Sequence, residues 1–424
     1  MATAHAPLLD DLVWRGLVAQ VAAEDRLADL LREGGATVYA GFDPTAPSLH
    51  VGHLVPLLTL ARYQRAGNRP IALAGGGTGL IGDPSGRSTE RTLHDTDTVD
   101  EWTDRIRGQL GRFLDFDAGA LLANNLDWLE DLSAIALLRD VGKHFPMGWM
   151  LGKESVRTRL EGDGLSYTEF SYMVLQAYDF LHLRRQHGCL IQVGGSDQYG
   201  NITAGIELIR RVEGDRAAGQ TVPLITDASG QKFGKSSGRA VWLDPERTSP
   251  YAFYQYWLQV DDGDAGRYLR LFTFLDRPEI ESIEEAHAGR PERREAQHRL
   301  AREMTVMVHG EVEWQRAVAV SDALFGKASL ADVDPAGLEV ALEAAPTVRV
   351  AAAGEVPTYA ALMVETGLAR STSEAARLAA GGGVYANDGR VEDVTQSPDA
   401  AQFLGGRVLV LRRGRRSHGL VVRD

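Results

Sequence analysis

Apolar positions recur with two different periods along the chain, and the change of period marks out its organisation. From Thr37 onward the run TVYAGF, the polar turn DPTAPS, the helically spaced LHVGHLVPLLTLARYQRAG and the run PIALAGG predict strand, turn, helix and strand, a βαβ unit. Short strands continue to alternate with helices through CLIQVGG as far as the turn SGQKFG near residue 230. That alternation predicts an α/β fold with a parallel sheet covered by helices. The opening MATAHAPLLDDLVWRGL reads as a first amphipathic helix.

Beyond Ser249 the strands give way to charge-rich helical periodicity, as in EIESIEEAHAG and RREAQHRLAREMTVMVHG. The expected division is an α/β domain over residues 1–248, a helical domain over 249–325, a linker over 326–354 and a last unit over 355–424. In that last unit two helices, TYAALMVETG and STSEAARLAAGG, precede short strands in GVYANDGRVE and RVLVLRRG. Two helices on a small twisted sheet with basic residues would suit an RNA-binding appendage.

Composition narrows the classes. The chain has 424 residues, 44% of them hydrophobic and 24% charged, with a net charge of -13. An excess of acid excludes a surface coated for nucleic acid, so any RNA contact must be local. Arg407, Arg412, Arg413, Arg415, Arg416 and Arg423 form the one basic cluster, which read alone is more often a solvated tail. The single cysteine, Cys189, excludes a disulfide framework. The start lacks the basic end and uninterrupted apolar run that export requires, and no window reaches the roughly 18 to 20 apolar residues needed to cross a bilayer. A cytoplasmic protein with no membrane partner is expected.

Candidate chemistry begins where the first strand turns into a helix. His50-Val51-Gly52-His53 puts two histidines on one face of the first helical turn, where unpaired N–H groups and the positive dipole end suit phosphate. Gly52 would let a flat base or ribose approach the backbone. A capped helix end and half of a metal site are the other readings, although no third ligand of the HExxH kind follows. The preceding turn Gly41-Phe42-Asp43-Pro44-Thr45 brings a carboxylate and a hydroxyl toward the same crevice. At the far end of the alternating region, Lys232-Phe233-Gly234-Lys235-Ser236-Ser237-Gly238 sets two lysines between glycines. Such a loop can close over a polyphosphate, or it can be no more than a solvated pair of lysines.

The histidine and lysine motifs together resemble class I aminoacyl-tRNA synthetases, in which H-x-G-H and K-x-x-K-S hold ATP during adenylate formation. In more detail, YAGFDPTAPSLHVGHLVPL, GLIGDPSGR, YTEFSYMVLQAYDF, GGSDQYGNITAGIELIR and KFGKSSG are similar to successive blocks of bacterial tyrosyl-tRNA synthetases, over nearly the whole chain. The resemblance implies a Rossmann-like catalytic domain, a helical anticodon-recognition domain and a small ribosomal-protein-like RNA-binding domain. It implies L-tyrosine, ATP with Mg²⁺ and tRNA(Tyr) as substrates, no resident protein metal, and a homodimer.

Carried over by position, the resemblance implies that Tyr39 and Asp179 bind the substrate phenol and that Asp83, Tyr172 and Gln176 hold its ammonium group. Gln192 and Gln198 face tyrosine and the adenylate. For ATP it implies Gly41, Asp43, Gly52, Gly195 under the adenosine and Asp197 on the ribose. Thr45, His50, His53, Lys232, Lys235 and Ser236 act on the phosphates, with Arg87 and Arg91 on the pyrophosphate side. In the last domain, RNA binding would lean on the basic residues present, Arg370, Arg377 and the terminal Arg412, Arg413, Arg415 and Arg416. The spacing of Tyr172, Gln176 and Asp179 puts them on one helical stripe, which periodicity alone reads more readily as a solvated face.

The chain departs from that family's usual pattern at three places. Arg87 stands where lysine is common, Ala40 where some relatives carry a cysteine near the ribose, and STSEAARLAAGGG is poorer in basic residues than that domain usually is. Three competing readings remain at this level. Gly77-Thr78-Gly79-Leu80-Ile81-Gly82 fits a dinucleotide fingerprint, but Asp83-Pro84-Ser85-Gly86 interrupts the helix such a fingerprint requires. A tryptophanyl synthetase shares the fold, and Tyr39 with Asp179 argues instead for a phenol. An RNA-binding protein on an inactive synthetase scaffold is opposed by the intact histidines and lysines.

Overall fold

The computed structural model describes residues 7–85, 94–161, 164–226, 235–236, 239–325, 327–343, 345–351, 354–414 and 417–424. Lys232, Arg87, Arg91, Arg415 and Arg416 lie outside the described residues, as do the side chains of Lys235 and Ser236. The chain divides into two compact units, Met1–Asp244 with Asp261–Ala296, and Pro245–Val260 with Gln297–Asp424.

The first unit is built on a six-stranded sheet. In chain order its strands are β1 (Gln20–Ala22), β2 (Thr37–Phe42), β3 (Arg69–Ala74), β4 (Leu121–Asn124), β5 (Ile191–Gly195) and β6 (Ala218–Val222), in spatial order β1-β6-β5-β2-β3-β4. Strands β2 to β6 pair in parallel, and β1 closes one edge antiparallel to β6. Val38–Ala40, Ile71–Ala74 and Ile191–Val193 are buried without a break, as befits strands covered on both faces. Helices Leu54–Arg65, Tyr167–His187 and Tyr199–Glu213 supply cover. The long helix Tyr167–His187 begins where the Ser166 hydroxyl accepts from the Glu169 N–H at 3.2 Å, and it ends at Gly188, whose φ of 66° is the left-handed stop. Two further short strands, β7 (Lys235–Ser236) and β8 (Arg239–Ala240), pair antiparallel with each other.

The helical run read over 249–325 is shared between the two units. Helices Asp262–Phe272 and Arg277–Gly289 belong to the first, where buried Arg15 and Arg62 donate to the Thr273 carbonyl at 3.2 and 2.5 Å. These guanidiniums satisfy backbone carbonyls that the helix end leaves unpaired. Helical periodicity marks an element but does not say which core it joins.

The second unit takes helices Pro250–Leu258 and Glu311–Leu324 and a five-stranded sheet. Its strands β9 (Thr347–Val350), β10 (Val384–Ala386), β11 (Gly389–Arg390), β12 (Val408–Arg413) and β13 (Ser417–Arg423) lie in the order β11-β10-β12-β13-β9. Side chains alternate across this sheet. Leu409, Leu411 and Val421 join the core under helices Tyr359–Glu365 and Thr372–Ala380, while Val408, Val410, Leu420 and Val422 join a second core with Leu324, Leu330, Leu338 and Leu342. The stretch read as a linker over 326–354 is therefore part of the packing. It contains helix Pro335–Ala341 and strand β9, which runs parallel to β13, and the Asp388 carboxylate accepts from the Ser329 hydroxyl and the Leu330 N–H, both at 2.8 Å. Its periodicity is weak because each element is short and its partners are distant in sequence.

Candidate active site

The carboxyl ends of β2, β3 and β5 open into a cavity of about 590 Å³ within the first unit. This is where ligands bind in open parallel sheets, because the strands stop there and the chain turns outward. Tyr39, Gly41, Asp43, Thr45, His50, Gly52 and His53 reach it from β2 and the turn that follows; Tyr172, Gln176 and Asp179 come from the long helix, Gln192, Gly195, Asp197 and Gln198 from β5 and its exit, and Asp83 from the segment after β3. Every residue anticipated for tyrosine thus faces one space, as do Gly41, Asp43, His50, Gly52, His53, Gly195 and Asp197 among those anticipated for ATP. The stripe that periodicity left open between a solvated face and a lining is a lining: Tyr172 is 5% exposed and Asp179 1%.

At the deep end, Asp179 accepts from the Asn125 amide at 2.9 Å and from the Trp128 indole N–H at 2.8 Å. Burial pushes its carboxyl up to about 7, against the pull of those two donors. Tyr39 is 1% exposed, and its hydroxyl has no hydrogen-bond partner; burial, then the nearby Asp179 carboxylate, raises it well above the usual phenol range. The side-chain carbonyl of Gln192 is likewise buried without a partner. Protein interiors rarely leave such groups unsatisfied, and two on the wall of one cavity mark a place for a polar ligand.

Asp43, anticipated for ATP, is hydrogen-bonded to Tyr172, anticipated for tyrosine. One of its oxygens accepts from the Tyr172 hydroxyl and the other from the Thr78 hydroxyl, both at 2.7 Å, and Thr78 in turn accepts from Asn125 at 2.9 Å. A second chain of contacts runs from Asn201, which donates to Gln176 and Gln198 at 3.0 Å each, through Gln198, which donates to Asp83 at 2.6 Å. Asn125, Trp128, Thr78 and Asn201 were not anticipated. The doublet Asn124-Asn125, at the end of β4 and just past it, was a usable signal, since amides at the carboxyl end of a parallel strand face the ligand crevice.

The histidine motif folds as a 3₁₀ turn, Val51–His53, ahead of helix Leu54–Arg65. The Gly52 N–H donates to His50 Nδ1 at 3.0 Å and the His50 N–H to His53 Nδ1 at 3.1 Å. With Nδ1 engaged as acceptor, a neutral ring at either position carries its proton on Nε2. A Cβ on Gly52 would lie 2.7 Å from His50 Cε1, so a larger residue there would displace the His50 imidazole. One on Gly195 would lie 2.5 Å from Asp197 Oδ1. The chain beyond the lysine segment returns to this motif: the Val51 N–H donates to the Val241 carbonyl at 3.0 Å, the Leu243 N–H to the Leu49 carbonyl at 2.9 Å, and the Trp242 ring lies edge-on to His50 at 6.0 Å. Thr226, just before that segment, lines the cavity. Both described flanks of the lysine segment therefore reach the site.

Charge is divided in the same way. Asp43, Asp83, Asp179 and Asp197 line the cavity, with no lysine or arginine among its described lining residues. That acidic wall suits an ammonium group and a phenol, whereas a triphosphate needs cations, and the residues anticipated to supply them lie outside the described ones. In the second unit, Arg370 and Arg377 are exposed. Arg412 is turned inward, with its side chain 11% exposed, donating to the Asn387 carbonyl at 2.7 Å and lying over Tyr385, and Arg413 donates to the Leu368 carbonyl at 3.1 Å.

Comparison with known proteins agrees with this geometry. The family model for tRNA synthetases class I (W and Y) matches residues 32–326, and that for the tyrosine–tRNA ligase SYY-like C-terminal domain matches residues 338–421. A tyrosine–tRNA ligase of Nocardia farcinica is 54% identical over 98% of this chain and 99% of its own, and one of Thermobifida fusca is 51% identical over 98% and 99%. Among solved structures, a C-terminally truncated mitochondrial tyrosyl-tRNA synthetase of Aspergillus nidulans is 34% identical with a TM-score of 0.69, covering 75% of this chain and 94% of that one. The chain belongs to the tyrosine–tRNA ligase family of class I tRNA synthetases.

Proposed function

We propose that the cavity binds L-tyrosine and ATP, joins them as tyrosyl-adenylate, and delivers the tyrosyl group to the 3′ end of tRNA(Tyr). The observation that carries this reading is the buried, unpartnered Tyr39 hydroxyl on the same wall as Asp179. A substrate phenol donates to the Asp179 carboxylate and accepts from Tyr39, satisfying both. Phenylalanine offers neither group a partner, and the tryptophan indole N–H can donate to Asp179 but accept nothing from Tyr39, so each leaves the Tyr39 hydroxyl unsatisfied, the asymmetry by which polar sites reject apolar analogues. Asp83, Tyr172 and Gln176 receive the ammonium group, and Gln192 and Gln198 the rest of the amino acid.

The tyrosine carboxylate attacks the α-phosphorus of MgATP; the new O–P bond forms as the bond to the β-phosphate breaks, and pyrophosphate leaves with that electron pair. The nucleophile is already an anion, so no general base is needed and catalysis is positioning plus charge stabilisation. His50 and His53 donate from Nε2 to the phosphates, Thr45 and Ser236 add hydroxyls, and Lys232, Lys235, Arg87 and Arg91 supply lysine and arginine cations, of which the described lining has none. Gly41, Asp43, Gly52, Gly195 and Asp197 surround the nucleoside. A tRNA hydroxyl then attacks the activated carbonyl and AMP leaves. Pyrophosphate exchange into ATP tests the assignment: it is expected with tyrosine alone, and faster exchange with any other amino acid overturns it.

A homodimer in the cytoplasm is part of this reading. Ile135, Leu138, Met147, Leu151, Leu160 and Tyr167 are exposed apolar side chains crowded into one stretch of the first unit, more than an isolated surface tolerates at random. A second copy is the occupant that covers them. Sedimentation is expected to give a dimer, and Leu138→Glu a monomer. Arg370 and Arg377 are the proposed tRNA contacts of the second unit, and reversing both to Glu is expected to weaken charging while sparing pyrophosphate exchange. Deleting everything beyond residue 350 is a poorer test, because it uncovers Leu324, Leu330, Leu338 and Leu342.

A further inference from the structure

We infer that His182 is a positioning residue for tyrosine recognition: its imidazole, stacked on the outer face of Trp128, holds the indole so that the N–H meets Asp179. This rests on the reading of Asp179 as the phenol acceptor. The imidazole and indole rings lie 4.3 Å apart and 13° from parallel. On the cavity side, the Trp128 Nε1–H donates to Asp179 Oδ1 at 2.8 Å. Asp179 and His182 occupy adjacent turns of helix Tyr167–His187, so one helix carries both the carboxylate and the plate that aims its donor.

Trp128 needs such a plate. It sits on Leu126–Leu129, a helical turn of four residues with no side-chain cap, and the rotation of an indole about its outer torsion is soft. Asn125, by contrast, is fixed on several sides: its carbonyl oxygen accepts from the Gly77 N–H at 2.8 Å and its amide also donates to Thr78 at 2.9 Å. Of the two donors that orient Asp179, the indole is the one with a single hydrogen bond; it also packs against the core of the first unit, and His182 covers one of its faces. Burial lowers the His182 imidazole below its usual range, which favours the neutral ring that stacks flat.

The test uses the full chain and measures pyrophosphate exchange for His182→Ala, His182→Phe and Asp179→Asn. His182→Ala is expected to raise the tyrosine KM about three- to tenfold, the range of one aromatic pair. The ATP KM and kcat should stay within about twofold, and the preference for tyrosine over phenylalanine should fall by the same factor as the KM rises. His182→Phe, which keeps the stack and loses the imidazole nitrogens, should restore both. If His182→Ala leaves the tyrosine KM unchanged while Asp179→Asn raises it, the positioning role is overturned and the tyrosine pocket stands. If His182→Phe behaves like His182→Ala, stacking is not the cause. If Asp179→Asn itself has no effect on tyrosine, the pocket reading fails and takes this inference with it. His182 is only partly buried, so a thermal melt within a few degrees of the parent is expected and separates these outcomes from misfolding.

Discussion

Two buried carboxylates on helix Tyr167–His187 meet opposite company. Glu169, 2% exposed in the first turn, is gripped by both terminal nitrogens of Arg159 at 3.0 and 2.8 Å, and that arginine is itself 3% exposed. Asp179, 1% exposed farther along, has Asn125 and Trp128 as its hydrogen-bond partners, both neutral, and is held up near 7. Equal burial therefore says little about role. A buried charge matched by a forked cation is a fastening, while one given only neutral donors, beside an orphan tyrosine hydroxyl, keeps capacity for a ligand.

Breaking the fastening should have the largest effect. Glu169→Gln leaves the Arg159 guanidinium without its carboxylate and is expected to destabilise the first unit by about 3 to 5 kcal/mol, read by chemical denaturation. The fraction that remains folded should keep its tyrosine KM. Asp179→Asn should reverse that pattern, lowering kcat/KM for tyrosine about 10- to 100-fold, the worth of one hydrogen bond to a charged acceptor, with a smaller loss of stability. An equal tyrosine defect in both variants would erase the distinction between them.

The residues that could be anticipated are those whose role follows from local spacing. The βαβ run, the HVGH turn and the stripe Tyr172, Gln176, Asp179 are all short-range patterns, and the structure gathers them around one cavity. What periodicity could not say was what covers the stripe, because that depends on strands brought alongside from elsewhere. Asn125 and Trp128 acquire their meaning only when β4 pairs with β3 and carries them to Asp179. The same limit hid β1 and β9, three and four residues long, whose partners β6 and β13 are remote in sequence. Arg412 was chosen from a run of arginines by composition, and composition cannot tell a side chain tucked against Tyr385 from one facing solvent.

A pH series sharpens the comparison further. Because the folded Asp179 is raised from 3.8 to about 7, the native state holds a proton that the unfolded chain has released. Its contribution to stability is thus complete below about pH 4 and lost as pH climbs through about 7. Tyrosine recognition runs the other way, since the phenol O–H needs an ionised acceptor. Between about pH 8 and 6 the ionised fraction falls roughly tenfold, and kcat/KM for tyrosine at saturating ATP should fall with it. Asp179→Asn should flatten both slopes; a profile unchanged by that variant would assign the titration to another group.

The smallest effect, and the most discriminating, belongs to Tyr39→Phe. In the free protein the Tyr39 hydroxyl is buried without a partner, so removing it relieves an unsatisfied group and should leave stability equal or up to about 1 kcal/mol higher. With tyrosine bound, the same hydroxyl donates to the substrate phenol, and its loss should raise the tyrosine KM about three- to tenfold, the value of a neutral hydrogen bond. A core tyrosine shows the reverse, with stability lost and KM unmoved. Stability retained together with weaker tyrosine binding is the behaviour of a hydroxyl kept unsatisfied in the fold because the ligand completes it, which is the property that separates the Asp179 end of this helix from the Glu169 end.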